Sequence, residues 1–187
     1  MRQPLKPRTI SLETPHYLVR SMELSDISTG WRDWLKDPQT ARNLNVRPEA
    51  LSEETLRNYV GTFDRANAHL LGIFEKEIDR LIGVRAIYIS HQTGEFLVNV
   101  LIGESDARNK GARSETREVI YRYFFEEMDL KSAICSVVST NAAVLRIMDR
   151  NGWIREGASA KPSAYGLGSV ELLTFRLTRD EWRRRLA

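Results

Sequence analysis

The apolar residues of this chain follow two different periods, one before and one after His69. Between positions 56 and 63 they recur with helical spacing, and Ser52 is placed to cap a helix there. From His69 onward, the runs HLLGIFEKE, RLIGVRAIYIS and GEFLVNVLIG are rich in β-branched residues and are separated by short polar segments. This pattern predicts a helix followed by a meander of three antiparallel strands.

The first part of the chain predicts one more strand and one more helix. TISLETPHYLVRSM mixes β-branched and aromatic residues around Pro15, which indicates an edge strand or a strand with a break. A short helix carrying Trp31 and Trp34 follows, and we expect it to end at Asp37 and Pro38. Both tryptophans are expected in the core rather than against a substrate.

The second half of the chain predicts helices and strands in alternation. A helix is expected over residues 114–128, and the run KSAICSVVS after it has strand character. Because a crossover helix joins them, the strands before and after it are expected to be parallel neighbours. TNAAVLRIMDRNGW then predicts a short helix closed by Asn151 and Gly152, and SVELLTFRLTRDEW predicts a final strand.

These elements together predict an α/β (α+β) fold with the order β-α-α-β-β-β-α-β-α-β-β. One mixed, mostly antiparallel central sheet is flanked by helices. No internal repeat and no linker interrupts the pattern, so residues 1–187 are expected to form a single domain.

Composition and charge narrow the class of protein. With 187 residues, 42% hydrophobic and 28% charged, the chain matches a globular protein with a substantial core. No stretch approaches the roughly 20 apolar residues that span a bilayer, so a cytoplasmic protein without membrane contact is expected. The net charge of +3 is small, which gives little support to nucleic-acid binding. The one cysteine, Cys135, is expected in the core, and a monomer and a homodimer both stay open.

The segment IGESDARNKGARSE links the last strand of the meander to the long helix. Backbone N–H groups at a helix start have no partner within the helix and favour an anion. Arg108, Lys110 and Arg113 add positive charge, and Gly111 permits a close approach that a side chain would block. From these residues alone, a phosphate site and a basic turn with a glycine for geometry are equally good interpretations.

Longer strings carry a resemblance to a known family. They are LETPHYLVR, WLKDPQTARNLNVR, LIGVRAIYI, LIGESDARNKGARSE, VVSTNAAVLRIMDRNGWIREG and the closing DEW, and they extend over nearly the whole chain. In these strings the chain resembles the GNAT superfamily of acyl-CoA-dependent N-acyltransferases, in particular the branch with ribosomal-protein N-terminal acetyltransferases and small-molecule acetyltransferases. The resemblance implies acetyl-CoA as co-substrate and an amine as acceptor.

The resemblance also implies where coenzyme A binds. In this superfamily the turn has the pattern Q/R-x-x-G-x-G/A, its amides hold the pyrophosphate, and the preceding strand carries the pantetheine arm. Asn141 matches an asparagine that contacts this arm or orients its surroundings, and it equally suits a plain helix N-cap. Arg113 departs from the pattern, and its side chain either crowds the approach or, as we favour, supplies a guanidinium to the phosphates. The residues expected at the cofactor are Leu101, Ile102, Gly103, Arg108, Asn109, Lys110, Gly111, Ala112, Arg113, Ser114 and Asn141.

The implied reaction is a direct attack of a neutral amine on the thioester carbonyl. The family's frequent carboxylate base falls on Leu97, so Glu95, two residues away on the same strand face, is the best candidate and Glu104 the second. Either carboxylate equally suits a solvent-facing residue. The family's proton donor to the leaving thiolate falls on Met148 or Val144, which cannot donate, so a water, a backbone amide or another side chain must do so. The expected catalytic residues are Glu95, Asn141 and Glu104.

The acceptor pocket is implied to lie between NLNVRPEALS and KPSAYGLGSV, with Arg42, Arg47 and Tyr165 as contacts. Tyr165 is also a candidate proton donor. The histidines are scattered without the spacing of metal ligands, so no metal is expected, and His91 is the one to test as a base.

Two functions follow from the resemblance. The first is an acetyl-CoA-dependent N-acetyltransferase acting on a primary amine of a small molecule, such as an amino sugar, or on a protein N-terminus. The alternative is a non-catalytic acyl-CoA-binding or regulatory module, because apolar residues replace the family's active groups. A third function, nucleic-acid binding through the basic turn and tail, has the weakest support.

Overall fold

The structure is a computed structural model that describes residues 6–108 and 110–186. Eight strands form one sheet with the order β1-β2-β3-β4-β5-β6-β8-β7. Every pair of neighbours is antiparallel except β5 and β6, which are parallel. The strands are β1 Ser11–Glu13, β2 Tyr17–Ser21, β3 Ala68–Glu75, β4 Arg80–Ser90, β5 Glu95–Ile102, β6 Ser132–Val138, β7 Ile154–Pro162 and β8 Ser169–Thr178.

The helices lie before the meander, across the parallel connection and after β6 and β8. They are α1 Thr29–Asp33, α2 Pro38–Leu44, α3 Glu53–Gly61, α4 Ala112–Arg122, α5 Ala142–Arg150 and α6 Arg179–Arg184. No helix in the described part of the chain is long and apolar enough to cross a membrane. The mixed, mostly antiparallel sheet with flanking helices confirms the predicted fold class, and the break at Pro15 separates β1 from β2. The assignment of residues 1–187 to a single domain stays a prediction.

The sequence pattern does not predict α2. Asp37 and Pro38 are expected to end the first helix, and α1 does stop before them. The same two residues also start a new helix, because Asp37 accepts hydrogen bonds from the backbone N–H groups of Gln39 and Thr40 and Pro38 occupies the first helical position.

The structure also differs from the prediction at the ends of two elements, the long helix and the last strand. The helix expected over residues 114–128 is α-helical only to Arg122 and then continues as a π-helical turn, Tyr123–Glu127. The last letters of SVELLTFRLTRDEW form α6 rather than strand, because Thr178 and Glu181 make a reciprocal capping box that starts a helix there. Gly152, with φ of +70°, follows α5 in the left-handed conformation that its sequence predicts.

Apolar side chains pack against both faces of the sheet. In β5, Phe96 and Val98 belong to the cluster that covers α4, while Leu101 packs against the cluster that holds Trp31 and Trp34. This alternation confirms that even and odd positions of β5 face opposite sides. Trp31 and Trp34 are buried, as expected, and so is Cys135.

The sheet opens between β5 and β6. The two strands pair only from Glu95–Ser132 to Leu97–Ile134, although β5 stays paired with β4 to Ile102 and β6 stays paired with β8 to Val138. Beyond Leu97 the facing edges of the two strands are therefore not bonded to each other. We call this wedge-shaped opening the strand gap.

Candidate active site

Two cavities adjoin the strand gap, with volumes of about 660 and 650 Å³. The turn cavity lies against the start of α4 and is lined by Arg108, Gly111 and Ser114 among others. The tryptophan cavity lies on the other side and is lined by Trp31 and Trp34 among others. Among the described residues, seven line both cavities, so the two spaces meet there. They are Asn43, Leu44, Val100, Leu101, Arg113, Asn141 and Val144.

The turn before α4 leaves its backbone amides open. Gly111 is the N-cap of α4 with φ of +84°, a conformation that side chains rarely adopt. Among the described residues that are not its chain neighbours, a Cβ built there would meet only Ser114 Oγ, at 4.0 Å. The N–H groups of Ala112, Arg113 and Ser114 are in the first turn of α4 and have no acceptor within the helix. The glycine thus exposes a cluster of donors towards the turn cavity.

The predicted turn also contains Lys110 and Asn109. Lys110 is exposed, and its backbone carbonyl accepts a hydrogen bond of 3.4 Å from Tyr17 Oη. Asn109, which the resemblance places in the same turn, lies outside the described residues.

Arg108 joins the end of β5 to the start of α2. Its guanidinium donates to the carbonyl oxygens of Ile102 at 3.2 Å and Gly103 at 3.0 Å. It also donates to Asp37 Oδ2 at 3.0 Å and to Thr40 Oγ1 at 2.9 Å. The side chain is therefore engaged by four protein oxygens, and it positions the turn whether or not it touches a phosphate.

The hydrogen bonds between β4 and β5 determine which backbone groups of β5 face the strand gap. Gly103 N donates to Ile82 O at 2.9 Å, and in an antiparallel ladder such bonded positions recur every second residue. Leu101 and Gly103 consequently use their backbone groups towards β4, whereas Val100 and Ile102 point theirs into the strand gap. Position 103 also requires glycine, because a Cβ there would lie 1.8 Å from Trp34 Cδ2.

Asn141 begins α5 at the meeting point of the two cavities. Its Oδ1 accepts a hydrogen bond of 3.3 Å from Val144 N, so it is the helix N-cap. The side chain lines both cavities as well. Asn141 can therefore cap α5 and line the proposed cofactor region at the same time, as expected from the sequence.

Arg113 does not stay at the turn. Its side chain lines both cavities, and Nη2 lies 3.5 Å from the carbonyl oxygen of Val100 in the strand gap. Burial lowers the pKa of the Arg113 guanidinium, although nearby Cys135 and Tyr121 oppose this effect. Its own carbonyl oxygen accepts a hydrogen bond of 2.7 Å from Arg85 Nη2. The structure therefore carries this cation away from the turn and into the opening between the strands.

The tryptophan cavity is lined mostly by apolar side chains. Trp34 forms part of its wall, and its Nε1 donates to Glu104 Oε1 at 2.8 Å. No aspartate or glutamate is found among the described residues that line this cavity. Its polar side chains are Asn43, Thr55, Tyr59, Asn99, Arg113, Ser136, Asn141 and Lys161, beside the indoles of Trp31 and Trp34.

The two predicted catalytic carboxylates are both occupied by other groups. Glu95 is in an ion pair with Arg176 and lies 3.4 Å from Ser132 Oγ, at the end of β5 where the strands are still paired. The Arg176 guanidinium is the main cause that lowers the pKa of Glu95, which weakens it as a base. Neither Glu95 nor Glu104 lines either cavity. The geometry therefore gives the base role of these residues no support, and that role stays a prediction.

The predicted acceptor segments meet, mainly through Asn45, which is not one of the predicted contacts. Asn45 Nδ2 donates to Pro162 O at 2.9 Å, and Asn45 Oδ1 accepts from Ala164 N at 2.9 Å. Arg42, Arg47 and Tyr165 are exposed and line neither cavity, although Arg47 Nε lies 3.4 Å from Ala164 O.

The sequence does not individually predict Asn43, Asn99 or Lys161 as site residues, although Asn43 and Lys161 lie in the two predicted acceptor segments, NLNVRPEALS and KPSAYGLGSV. Asn43 lies on α2, the helix that was not predicted, and Lys161 lies near the end of β7. Asn99 was found on the same strand face as Leu97, and it is the polar side chain in the middle of β5. Its position between Leu97 and Leu101 on one strand face was the available signal.

Comparison with known proteins identifies the family. The family model "Acetyltransferase (GNAT) domain" matches residues 16–154, so the chain belongs to the GNAT acetyltransferases. It is 25% identical over 173 residues to the uncharacterized N-acetyltransferase YnaD of Bacillus subtilis (strain 168), covering 91% of this chain and 98% of that protein. The chain is an acetyltransferase, and its family uses acetyl-CoA as co-substrate.

Solved structures share the fold. A probable GNAT acetyltransferase from Chromobacterium violaceum ATCC 12472 has a TM-score of 0.79 at 14% identity, covering 98% of this chain and 93% of that chain. The ribosomal-protein-S5-alanine acetyltransferase from Vibrio fischeri has a TM-score of 0.72 at 16% identity, covering 92% of this chain and 98% of that chain. Among the described residues, no group of three or more His, Cys, Asp or Glu side chains could hold a metal ion.

Proposed function

We propose that this protein transfers an acetyl group from acetyl-CoA to a primary amine by direct attack of the amine on the thioester. One observation carries the proposal: the strand gap joins a cavity with open backbone amides to a second, mostly apolar cavity. A co-substrate with a phosphate end and a long arm fits the first cavity and the gap. The acceptor then enters from the second.

Coenzyme A is proposed to lie with its pyrophosphate at the amides of Ala112, Arg113 and Ser114. Gly111 leaves that surface open, and the start of an 11-residue helix favours a polyanion there. The pantetheine arm is proposed to extend along the edge of β5, where the backbone groups of Val100 and Ile102 face the strand gap, although the carbonyl oxygen of Ile102 already accepts from Arg108. The thioester then reaches the residues that both cavities share.

The acceptor is proposed to be a primary amine with an apolar neighbourhood, such as the α-amine of a protein N-terminus. Support comes from the walls of the tryptophan cavity, which include Trp31, Trp34 and Leu56. An amino sugar is the less favoured acceptor, because most of the side chains in these walls are apolar. The similar Vibrio fischeri protein is by its name an acetyltransferase for an alanine of ribosomal protein S5.

The proposed chemistry uses electrostatics in place of a fixed carboxylate base. The amine nitrogen forms a bond to the thioester carbonyl carbon, the C–S bond breaks, and a proton leaves the nitrogen as the thiolate takes one up. Arg113 and Lys161 are cations that line the tryptophan cavity. Nearby positive charge lowers the pKa of a bound ammonium group, so the neutral amine is favoured before attack. Asn99 is proposed to accept a hydrogen bond from that amine.

The alternative, a non-catalytic acyl-CoA-binding module, rests on Leu97, Val144 and Met148. These apolar residues stand where the family often has active groups, and Val144 and Met148 line the tryptophan cavity. Under this alternative the cofactor binds and no amine is consumed.

The test measures free thiol released from acetyl-CoA with a panel of amines. The panel contains a peptide with N-terminal alanine, the same peptide with a blocked N-terminus, and glucosamine. Release with the free peptide alone, together with a mass increase of one acetyl group, supports the proposal. Tight binding of coenzyme A without turnover of any amine supports the alternative, and absence of coenzyme A binding contradicts both.

A further inference from the structure

Within residues 6–108 and 110–186, Arg113 is a cation without a counterion, and it lies where the two cavities meet. Its Nη2 lies 3.5 Å from the carbonyl oxygen of Val100, which is a long contact. No carboxylate lies within ion-pair distance of its guanidinium among the residues that the structure describes. A half-buried charge of this kind is costly unless an opposite charge or several hydrogen bonds compensate it.

The groups around Arg113 increase the shortage of negative charge. Arg85, which donates to the Arg113 carbonyl oxygen, is itself a buried cation with an exposed fraction of 1%. The nearby acids are a thiol, Cys135, and a phenol, Tyr121, and burial raises the pKa of both, that of Cys135 to about 11. Both groups are therefore neutral near pH 7 and neutralise neither arginine. In the part of the chain that the structure describes, no ionised acid balances the charge of these two arginines.

The position of this charge relative to the reaction is defined by the cavities. An acyl group that passes from a thioester in one cavity to an amine in the other must occupy their junction. Val100, Leu101, Arg113 and Asn141 line that junction. The Arg113 guanidinium is thus next to the acyl group rather than at the far end of the acceptor.

We propose that Arg113 binds a carboxylate at the end of the acyl group, so that the site accepts, in addition to acetyl-CoA, the coenzyme A thioester of a short dicarboxylic acid, such as a succinyl group. This inference rests on the proposed function, since it places the thioester in the strand gap. A planar guanidinium pairs with a carboxylate through two parallel hydrogen bonds, which an acetyl or butyryl group cannot form. The dicarboxylic acyl group supplies the charge that the site lacks.

The test is binding by calorimetry of coenzyme A, butyryl-CoA and succinyl-CoA, without any amine. Succinyl and butyryl groups have the same number of carbon atoms, so only the terminal carboxylate differs. We expect the unmodified protein to bind succinyl-CoA at least tenfold more tightly than butyryl-CoA. Because no acceptor is present, a carboxylate on the acceptor cannot produce this preference.

Three variants test whether Arg113 causes the preference for succinyl-CoA over butyryl-CoA. Arg113→Met is expected to reduce the ratio to within twofold while the Kd for coenzyme A changes less than threefold. Arg113→Lys is expected to keep part of the ratio, which guards against a folding defect in the methionine variant. Arg122→Met, at an exposed position of the same helix that lines neither cavity, is expected to keep the full ratio.

Three results overturn the inference. One is a ratio near one in the unmodified protein that still binds coenzyme A, and another is a ratio that persists in Arg113→Met. The third is an equal loss of affinity for all three ligands in Arg113→Met, which would assign the guanidinium to the pyrophosphate. Failure of the unmodified protein to bind coenzyme A at all would instead overturn the proposed function.

Discussion

Arg85 Nη2 donates a hydrogen bond of 2.7 Å to the backbone carbonyl oxygen of Arg113. The bond connects the middle of β4 to the first turn of α4, and the same Nη2 lies 3.2 Å from Thr116 Oγ1. Burial lowers the pKa of Arg85 to about 10, and its buried Nε has no hydrogen-bond partner among the described residues. This arginine therefore holds the start of α4 against the sheet.

We expect Arg85→Ala to lower the free energy of unfolding by about 2–4 kcal/mol, because it empties a fully buried volume below α4. Arg85→Met fills most of that volume and removes an unpaired charge, so its cost is expected to stay below about 1.5 kcal/mol. Urea unfolding at pH 7 measures both. Equal losses in the two variants would show that the hydrogen bonds to α4, not the volume, carry the effect.

Gly111→Glu is expected to abolish coenzyme A binding. The substitution adds a negative charge over the open amides and forces a side chain into a backbone with φ of +84°. Calorimetry with coenzyme A measures the Kd, and a rise of at least a hundredfold is expected.

The matched control is Gly157→Glu, because a Cβ at Gly157 meets nothing within 4 Å and the residue lines neither cavity. The control is expected to bind coenzyme A normally. An unchanged Kd in Gly111→Glu would remove the turn from the proposed binding site.

Asn141 has two roles that substitution can separate. Asn141→Ala removes both the N-cap of α5 and the amide, so a stability loss of about 1 kcal/mol and weaker coenzyme A binding are expected. Asn141→Ser restores a cap with a shorter side chain that does not extend into the cavities. Recovery of stability without recovery of affinity is expected in the serine variant, measured by thermal unfolding and calorimetry. If affinity returns together with stability, the residue is only a cap.

The order of the elements was predictable because each local signal agreed with the others. The meander, the crossover and the glycine after α5 are determined by residues close together in the chain, and the structure confirms them. The start of α2 was missed because Asp37 and Pro38 are signals both for the end of one helix and for the start of the next.

The details of the site depend on contacts between residues far apart in the sequence. Arg176 is 81 residues from Glu95, and no local pattern shows that it occupies the carboxylate chosen as a base. In the same way, Arg108 binds Asp37, which is 71 residues away. The direction of the Arg113 side chain follows from the strand gap, and the gap itself depends on how β6 pairs with β8.

Asp37 is expected to make stability fall in acid. Its hydrogen bond from Thr40, followed by that from Arg108, lowers its pKa from 3.8 to about 2. A carboxylate with a lowered pKa in the folded state contributes stability above the unfolded pKa, and this contribution is lost as the pH falls from about 4 towards 2.

Asp37→Asn keeps an N-cap but has no charge to titrate. Urea midpoints at pH 6 and pH 3 are expected to differ less in this variant than in the unmodified protein. Asp33→Asn, at a surface ion pair with Lys36, is the control and is expected to keep the full difference. Identical pH dependence in all three proteins would exclude Asp37 as a source of acid sensitivity.

Glu95→Gln decides whether this carboxylate acts as the base. The residue is held by Arg176 and lies outside both cavities, so the turnover number is expected to fall by less than about threefold. Lys161→Met is the variant to compare with Glu95→Gln, because it removes a cation that lines the tryptophan cavity. If cations keep the bound amine neutral, this variant shifts the rising limb of kcat against pH to higher pH, whereas Glu95→Gln leaves the limb in place. A loss of a hundredfold or more in Glu95→Gln, with coenzyme A affinity unchanged, would restore Glu95 as the base despite its ion pair.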